Sequence, residues 1–181
     1  MCGQVFFLGE EIKYLGVLLA SDLSCSPHVA ATSSKSSFGL GLLQRNLKKA
    51  PVELKEQAYR VYVRSILEYA CPIWSPHLKG DSADLERVNR RAIRYVSGDF
   101  RRTTSVTALM ATRDWQTLEE RRREAKLVLL YKIVNDKVAV SLEDINLELS
   151  TRPSRNSHKF KFREKRSSTA NLQNFFTHRC F

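Results

Sequence analysis

Hydrophobic and polar positions divide the chain into one short β segment and a series of helices. Residues 5–19, VFFLGEEIKYLGVLL, read as two short strands, with β-branched and aromatic residues flanking a Gly9-Glu10-Glu11 turn signal. A lone hairpin is marginal in water, so it must pack on the helices that follow or on a sheet from elsewhere. From Ser26 the period lengthens. Pro27 suits the first turn of a helix that runs through HVAATSSKSSFGLGLLQRNLKK, loosened by Gly39 and Gly41. Pro51 opens the next helix, whose second half is apolar on nearly every side: Ala58, Tyr59, Val61, Tyr62, Val63, Ile66 and Leu67. That pattern predicts a helix buried all round. Pro72 should end it, because proline lacks the N–H and clashes with the preceding turn.

The stretch LEYACPIWSP, residues 67–76, reads as the hinge between this helix and the next, with Trp74 filling the core at the bend and Pro76 leading out. DSADLERVNRRAIRYVSGD then gives the clearest helix, capped by Asp81 or Ser82 and closed by Gly98. At about 100° per residue, Leu85, Val88, Ala92, Tyr95 and Val96 share one face, and Arg87, Arg90, Arg91 and Arg94 lie opposite. A short helix is expected at Val106–Thr112. The capping box Thr117-x-x-Glu120 opens a last helix with Leu118, Ala125, Val128, Leu129 and Ile133 as its stripe. After Val140 the pattern fades. The expected fold is mainly α: a small bundle of about five helices, an N-terminal hairpin, and a basic, weakly structured C-terminal tail. The expected divisions are 1–22, 23–140 and 141–181.

Composition sharpens this picture. Thirty Lys+Arg against 19 Asp+Glu give a net charge of +11, with few glycines for an all-β chain. Residues 151–181 hold eight basic residues and one acid, so +7 of the charge lies in the tail. Such a surplus favours a polyanionic partner. Between Arg87 and Arg123 there are ten arginines and no lysine. Arginine pairs with phosphate in a bidentate fork, so the 87–94 face, Arg101-Arg102 and nearby Lys48-Lys49 can track a nucleic-acid backbone. The competing reading is a solvated face tied to Glu86, Glu119, Glu120 and Glu124. In the tail, KFKFREKR can stack on bases or form an edge strand with Phe160 and Phe162 on one side.

Catalysis finds no support. No GxSxG, HExxH, P-loop or GxGxxG occurs. Cys71 with His77 supplies two ligands where zinc needs four. The cysteines at 2, 25, 71 and 180 show no metal or disulfide spacing. No apolar run reaches the length of a membrane span, and no secretory signal is legible, so an intracellular protein is expected.

Four blocks then fall in a familiar order: KYLGVLLASDLS; LLQRNLKKAPVELKEQAYRVYVRSILEYACPIWSPH; LERVNRRAIRYVSGDFRRTTSVTALM; and DWQTLEERRREAKLVLLYKIVND. Over roughly residues 10–140 they resemble the C-terminal part of reverse transcriptases from non-LTR retrotransposons, in the jockey-like branch. The resemblance places KYLGVLL at the last palm strands and the helices from Pro27 to Asp136 in the thumb and connector, which hold the template–primer duplex. In the full-length family the palm binds magnesium through a paired Asp-Asp. This chain has no Asp-Asp. It reads as a fragment, without cofactor or catalytic residue of its own, that binds RNA or DNA backbone non-specifically and would need the missing palm and fingers to polymerise. The alternative is a helical protein-interaction module that binds no nucleic acid.

Overall fold

The computed structural model describes residues 11–22, 24–142, 144–145, 147–149 and 162–163. The chain forms two compact units, Met1–Arg122 and Arg123–Phe181. In the first, strands β1 (Glu11–Tyr14) and β2 (Val17–Ala20) pair antiparallel. Helix α1 (Ser26–Asn46) follows, then a continuous helical rod: α2 (Val52–Ala58), a π-helical turn (Tyr59–Arg64) and α3 (Ser65–Glu68). A single turn α4 (Cys71–Trp74), the long α5 (Lys79–Ser97), α6 (Val106–Thr112) and α7 (Leu118–Val134) complete the helices. Counted with the rod as one, the described residues hold five main helices and an N-terminal hairpin, as the sequence pattern predicts.

The described hairpin turns at Leu15-Gly16; of the expected Gly9-Glu10-Glu11 turn, Glu11 lies in β1, and residues 5–10 lie outside the described residues. Glu11 pairs with Ala20, and Tyr14 with Val17, which leaves a two-residue loop at Leu15-Gly16. Both loop residues have positive φ, 45° and 86°, as a type I′ turn requires. Leucine is poorly suited to that backbone. The turn is held from outside instead: the Tyr69 hydroxyl donates to Leu15 O at 2.9 Å, and the Tyr69 ring lies against Gly16, where a Cβ would meet it at 3.4 Å.

α1 and α5 run parallel. Ser26 Oγ donates to Asp81 Oδ2 (2.7 Å) near the start of both, and the Tyr95 hydroxyl donates to Leu43 O (3.0 Å) near the end of both. The rod packs against both helices. Tyr59, Val63 and Leu67 are its buried positions, meeting Val29 and Leu40 of α1 and Leu85, Ala92, Ile93 and Val96 of α5 in one core. The expectation of burial all round fails at Val61 and Tyr62, which are 66% and 60% exposed. One face of the rod, not its whole circumference, enters the core.

The hinge also differs from expectation. Ala70, at φ 51°, breaks the rod before Pro72 is reached. Pro72 instead sits in the first turn of α4, where the missing N–H costs nothing. Trp74 fills the core as expected, at 2% exposure, with its indole N–H on Tyr69 O (2.7 Å) and an edge contact to the His28 ring at 4.8 Å. Leu18 N donates to His28 Nδ1 at 3.2 Å, tying β2 to α1, and burial holds the pKa of this imidazole below its usual value.

α5 starts at Lys79, two residues before the expected cap, with Leu78 preceding it and no side-chain cap. Gly98 closes it at φ 67°, as expected. Its predicted core face is buried throughout, and Asn89 joins it at 1% exposure. Asn89 Oδ1 accepts from the Tyr59 hydroxyl (2.9 Å) and from Trp115 Nε1 (2.6 Å), and Nδ2 donates to Glu86 Oε1 (2.9 Å). The Tyr59 and Trp115 rings stack 4.8 Å apart. The other Glu86 oxygen accepts from Leu118 N at 3.0 Å, so α5 caps the first turn of α7. Thr117 and Glu120 form the expected capping box, with Glu120 N on Thr117 Oγ1 (3.2 Å) and Thr117 N on Glu120 Oε2 (2.9 Å).

Along α7, Leu118, Leu130 and Ile133 are buried, whereas Val128 is 53% exposed and does not belong to the stripe. Arg122 is buried on that helix, and its Nη2 donates to Ser82 Oγ at 3.0 Å. In the second unit, Asp136 at φ 51° ends α7, with Lys137 N reaching back to Lys132 O at 2.8 Å. Strand β3 (Glu148–Leu149) pairs antiparallel with β4 (Phe162–Arg163). The rest of the expected tail, including Phe160, lies outside the described residues. No helix among the described residues is long and apolar enough to cross a membrane.

Two stability measurements check this account. Asn89→Ala strands the Tyr59 and Trp115 donors, and should cost about 2–3 kcal/mol in denaturant unfolding; a loss under about 0.5 kcal/mol would remove Asn89 from its central place. Leu15→Asn should raise stability by about 0.5–1 kcal/mol, because asparagine tolerates the left-handed backbone and the exposed leucine buries little. A net loss would mean that the Leu15 side chain is needed.

Candidate nucleic-acid interface

The eight candidate cations fall on one helix and at one end of the bundle. Arg87, Arg90 and Arg91 are exposed on α5, away from its core face. Arg90 and Arg91 have no hydrogen bond or ion pair among the described residues. Arg87 pairs with Asp84 at 2.8 Å, but both side chains are well exposed, at 70% and 47%, so solvent screens the pair. At 1.5 Å per residue, Arg87 and Arg91 stand about 6 Å apart along the helix axis. That span covers roughly two phosphates of one strand, at about 3.4 Å of duplex axis each.

Arg94 does not share this role. It is half-buried, and its guanidinium donates to Arg101 O (2.9 Å) and Thr104 O (3.2 Å). It straps the 99–104 loop onto the C-terminal end of α5, where a cation is also favoured by the helix dipole. Within the loop, Arg101 grips Asp99 through Nε (3.2 Å) and Nη2 (2.9 Å), and Thr104 Oγ1 donates to the same carboxylate at 2.8 Å. The Arg101 side-chain hydrogen bonds, then its backbone N–H, hold the Asp99 carboxyl well below the usual carboxylate range. Arg101 is therefore locally compensated, whereas Arg102 is exposed and makes no ion pair among the described residues.

Lys48 and Lys49 lie in the connection between α1 and the rod, and both are exposed. The parallel run of α1 and α5 brings that connection to the end of the bundle where α5 stops: Tyr95 bonds to Leu43 O and, at 3.4 Å, to Leu47 O. Lys48, Lys49 and Arg102 thus decorate the same end. The acids expected to neutralise the arginine face do not all turn toward it. Glu86 points inward to Asn89 and Leu118, and Glu120 is used in its own capping box.

Cys71 is buried and His77 exposed, and no group of three or more metal-ligating side chains occurs among the described residues. A second arginine cluster is invisible in the local sequence pattern. Arg60 and Arg64 on the π-helical turn line one cavity with Arg121, a residue more than fifty positions away. Only the tertiary fold joins them. The chain matches no family model, no curated protein and no solved structure.

The division of labour among the arginines is testable. Arg94→Ala should cost about 1–2 kcal/mol, since two charge-assisted bonds to backbone carbonyls are lost. Arg90→Ala and Arg91→Ala should stay within about 0.5 kcal/mol of wild type. Equal costs at all three positions would erase the distinction between strap and free cations.

Proposed function

We propose that this chain is a thumb-like piece of a non-LTR retrotransposon reverse transcriptase, and that it holds the sugar–phosphate backbone of RNA or DNA without reading sequence. One observation carries this reading. A 19-residue helix, anchored by its buried face, presents Arg87, Arg90 and Arg91 to solvent, and Lys48, Lys49 and Arg102 stand at the end toward which it runs. Guanidiniums fixed on a rigid helix lose less freedom on meeting a phosphate than the same groups on a loop. The resemblance of the four sequence blocks is what suggests the family, and the lack of an Asp-Asp pair among the given residues supports a chain that does not polymerise alone. Divalent metal chemistry on the transferring phosphate would come from the palm of the parent polymerase.

A second reading, a helical module that binds another protein, is favoured by the exposed Phe38, Val61 and Tyr62. A salt titration with a primer–template duplex separates the two. Affinity should fall steeply with salt. The combined Arg87→Ala, Arg90→Ala and Arg91→Ala variant should flatten the log–log slope by about 2–3, because each phosphate left unneutralised takes roughly 0.9 from it. Absence of binding at low salt, or an unchanged slope in the variant, would favour the protein-interaction module.

A further inference from the structure

A cavity of about 270 Å³ opens beside the π-helical turn, lined by Arg60, Arg64, Arg121, Asn89 and Trp115. At about 30 Å³ per water it has room for roughly nine waters, enough for one phosphate and part of what carries it.

The arginines around it share their carboxylate partners. Glu56 serves both Arg60 and, at 3.8 Å, Arg113. Glu68 is taken in a fork by Arg121, with Nη2 to Oε2 at 3.0 Å, while Arg64 Nε stays 3.6 Å from the same carboxylate. Four guanidiniums, three of them lining the cavity, thus share these two carboxylates. Asp114 also lines the cavity as a third carboxylate, exposed like Arg60, so the arginines outnumber the acids by one. Among the described residues, Arg64 has no hydrogen-bond acceptor of its own. Burial first, and then the neighbouring Arg121, lower its pKa, with Arg60 acting in the same direction.

Asn89 in the cavity wall is fully hydrogen-bonded. The Asn89 amide is spent on Tyr59, Trp115 and Glu86, so it holds the walls and leaves the anion to the guanidiniums. Arg60 and Arg64 belong to the π-helical turn, a local widening of the helix that recurs at functional sites. A phosphate monoester carries about −1.5 to −2 near neutral pH and offers three terminal oxygens, one for each guanidinium that lines the cavity.

We infer that the cavity between Arg60, Arg64 and Arg121 is a binding site for a terminal phosphate, either inorganic phosphate or a phosphate monoester such as a nucleoside 5′-monophosphate. It is separate from the α5 face and does not depend on that face binding a duplex. Calorimetric titration of the full chain at constant ionic strength, with inorganic phosphate, a nucleoside 5′-monophosphate and the nucleoside alone, tests it. Phosphate and the monophosphate should bind, and the nucleoside should not. Tighter binding of the monophosphate would make a nucleotide end the source, and equal binding would make it free phosphate. Arg64→Gln and the more exposed Arg60→Gln should each weaken binding about tenfold while unfolding midpoints hold. Arg64→Lys should rescue only part, since it keeps the charge and loses the fork. The Arg87→Ala, Arg90→Ala, Arg91→Ala variant should bind phosphate like wild type. No phosphate-dependent heat in wild type, binding by the nucleoside alone, or unchanged affinity in both glutamine variants would overturn the assignment.

Discussion

The side chain of Asn89 is the polar group on which the first unit turns. It is buried on the core face of α5, accepts the hydroxyl of Tyr59 and the indole N–H of Trp115, and donates to Glu86. A buried amide is costly unless its bonds are made, so these contacts specify one arrangement of α5 against the π-helical turn and the 113–117 loop. Glu86 extends the node by capping α7. Apolar burial alone would let the helices slide. The amide fixes how far each has turned, and so decides which residues of α5 remain outside.

That fixed rotation sorts the arginines by use. Arg94 reaches back to two carbonyls and holds a loop. Arg101 is matched to Asp99, and Arg121 to Glu68. Arg122 is buried against Ser82. Arg90, Arg91 and Arg102 are left in water. Ten arginines between positions 87 and 123 thus contain only a few free cations, and binding strength should follow those few, not the net charge.

Several local signals in the sequence held, although α5 begins at Lys79 without the expected Asp81 or Ser82 cap. Pro27 and Gly98 marked helix ends, Thr117 and Glu120 formed their box, and the buried face of α5 followed from period alone. What failed depended on distant partners or on broken period. The turn at Leu15-Gly16 lacks a turn dipeptide and is held by Tyr69, which is 54 positions away. The π-helical turn shifts the helical phase, and Val61 and Tyr62 are exposed although the run is apolar. The break at Ala70 carries no proline or glycine, so Pro72 drew the boundary two residues late. In the candidate site, the exposed Arg87–Arg91 arc followed from spacing. The strap at Arg94 required knowledge of where residues 101–104 fold, and the Arg60–Arg64–Arg121 cavity that of where residue 121 folds.

Amide chemical-shift mapping with a short RNA–DNA hybrid at low salt tests the central claim most directly. The account predicts the largest shifts at residues 87–91, 101–102 and 48–49, with the hairpin and the core of the bundle little changed. Shifts confined to the hairpin or to the exposed Phe38, Val61 and Tyr62 would contradict it.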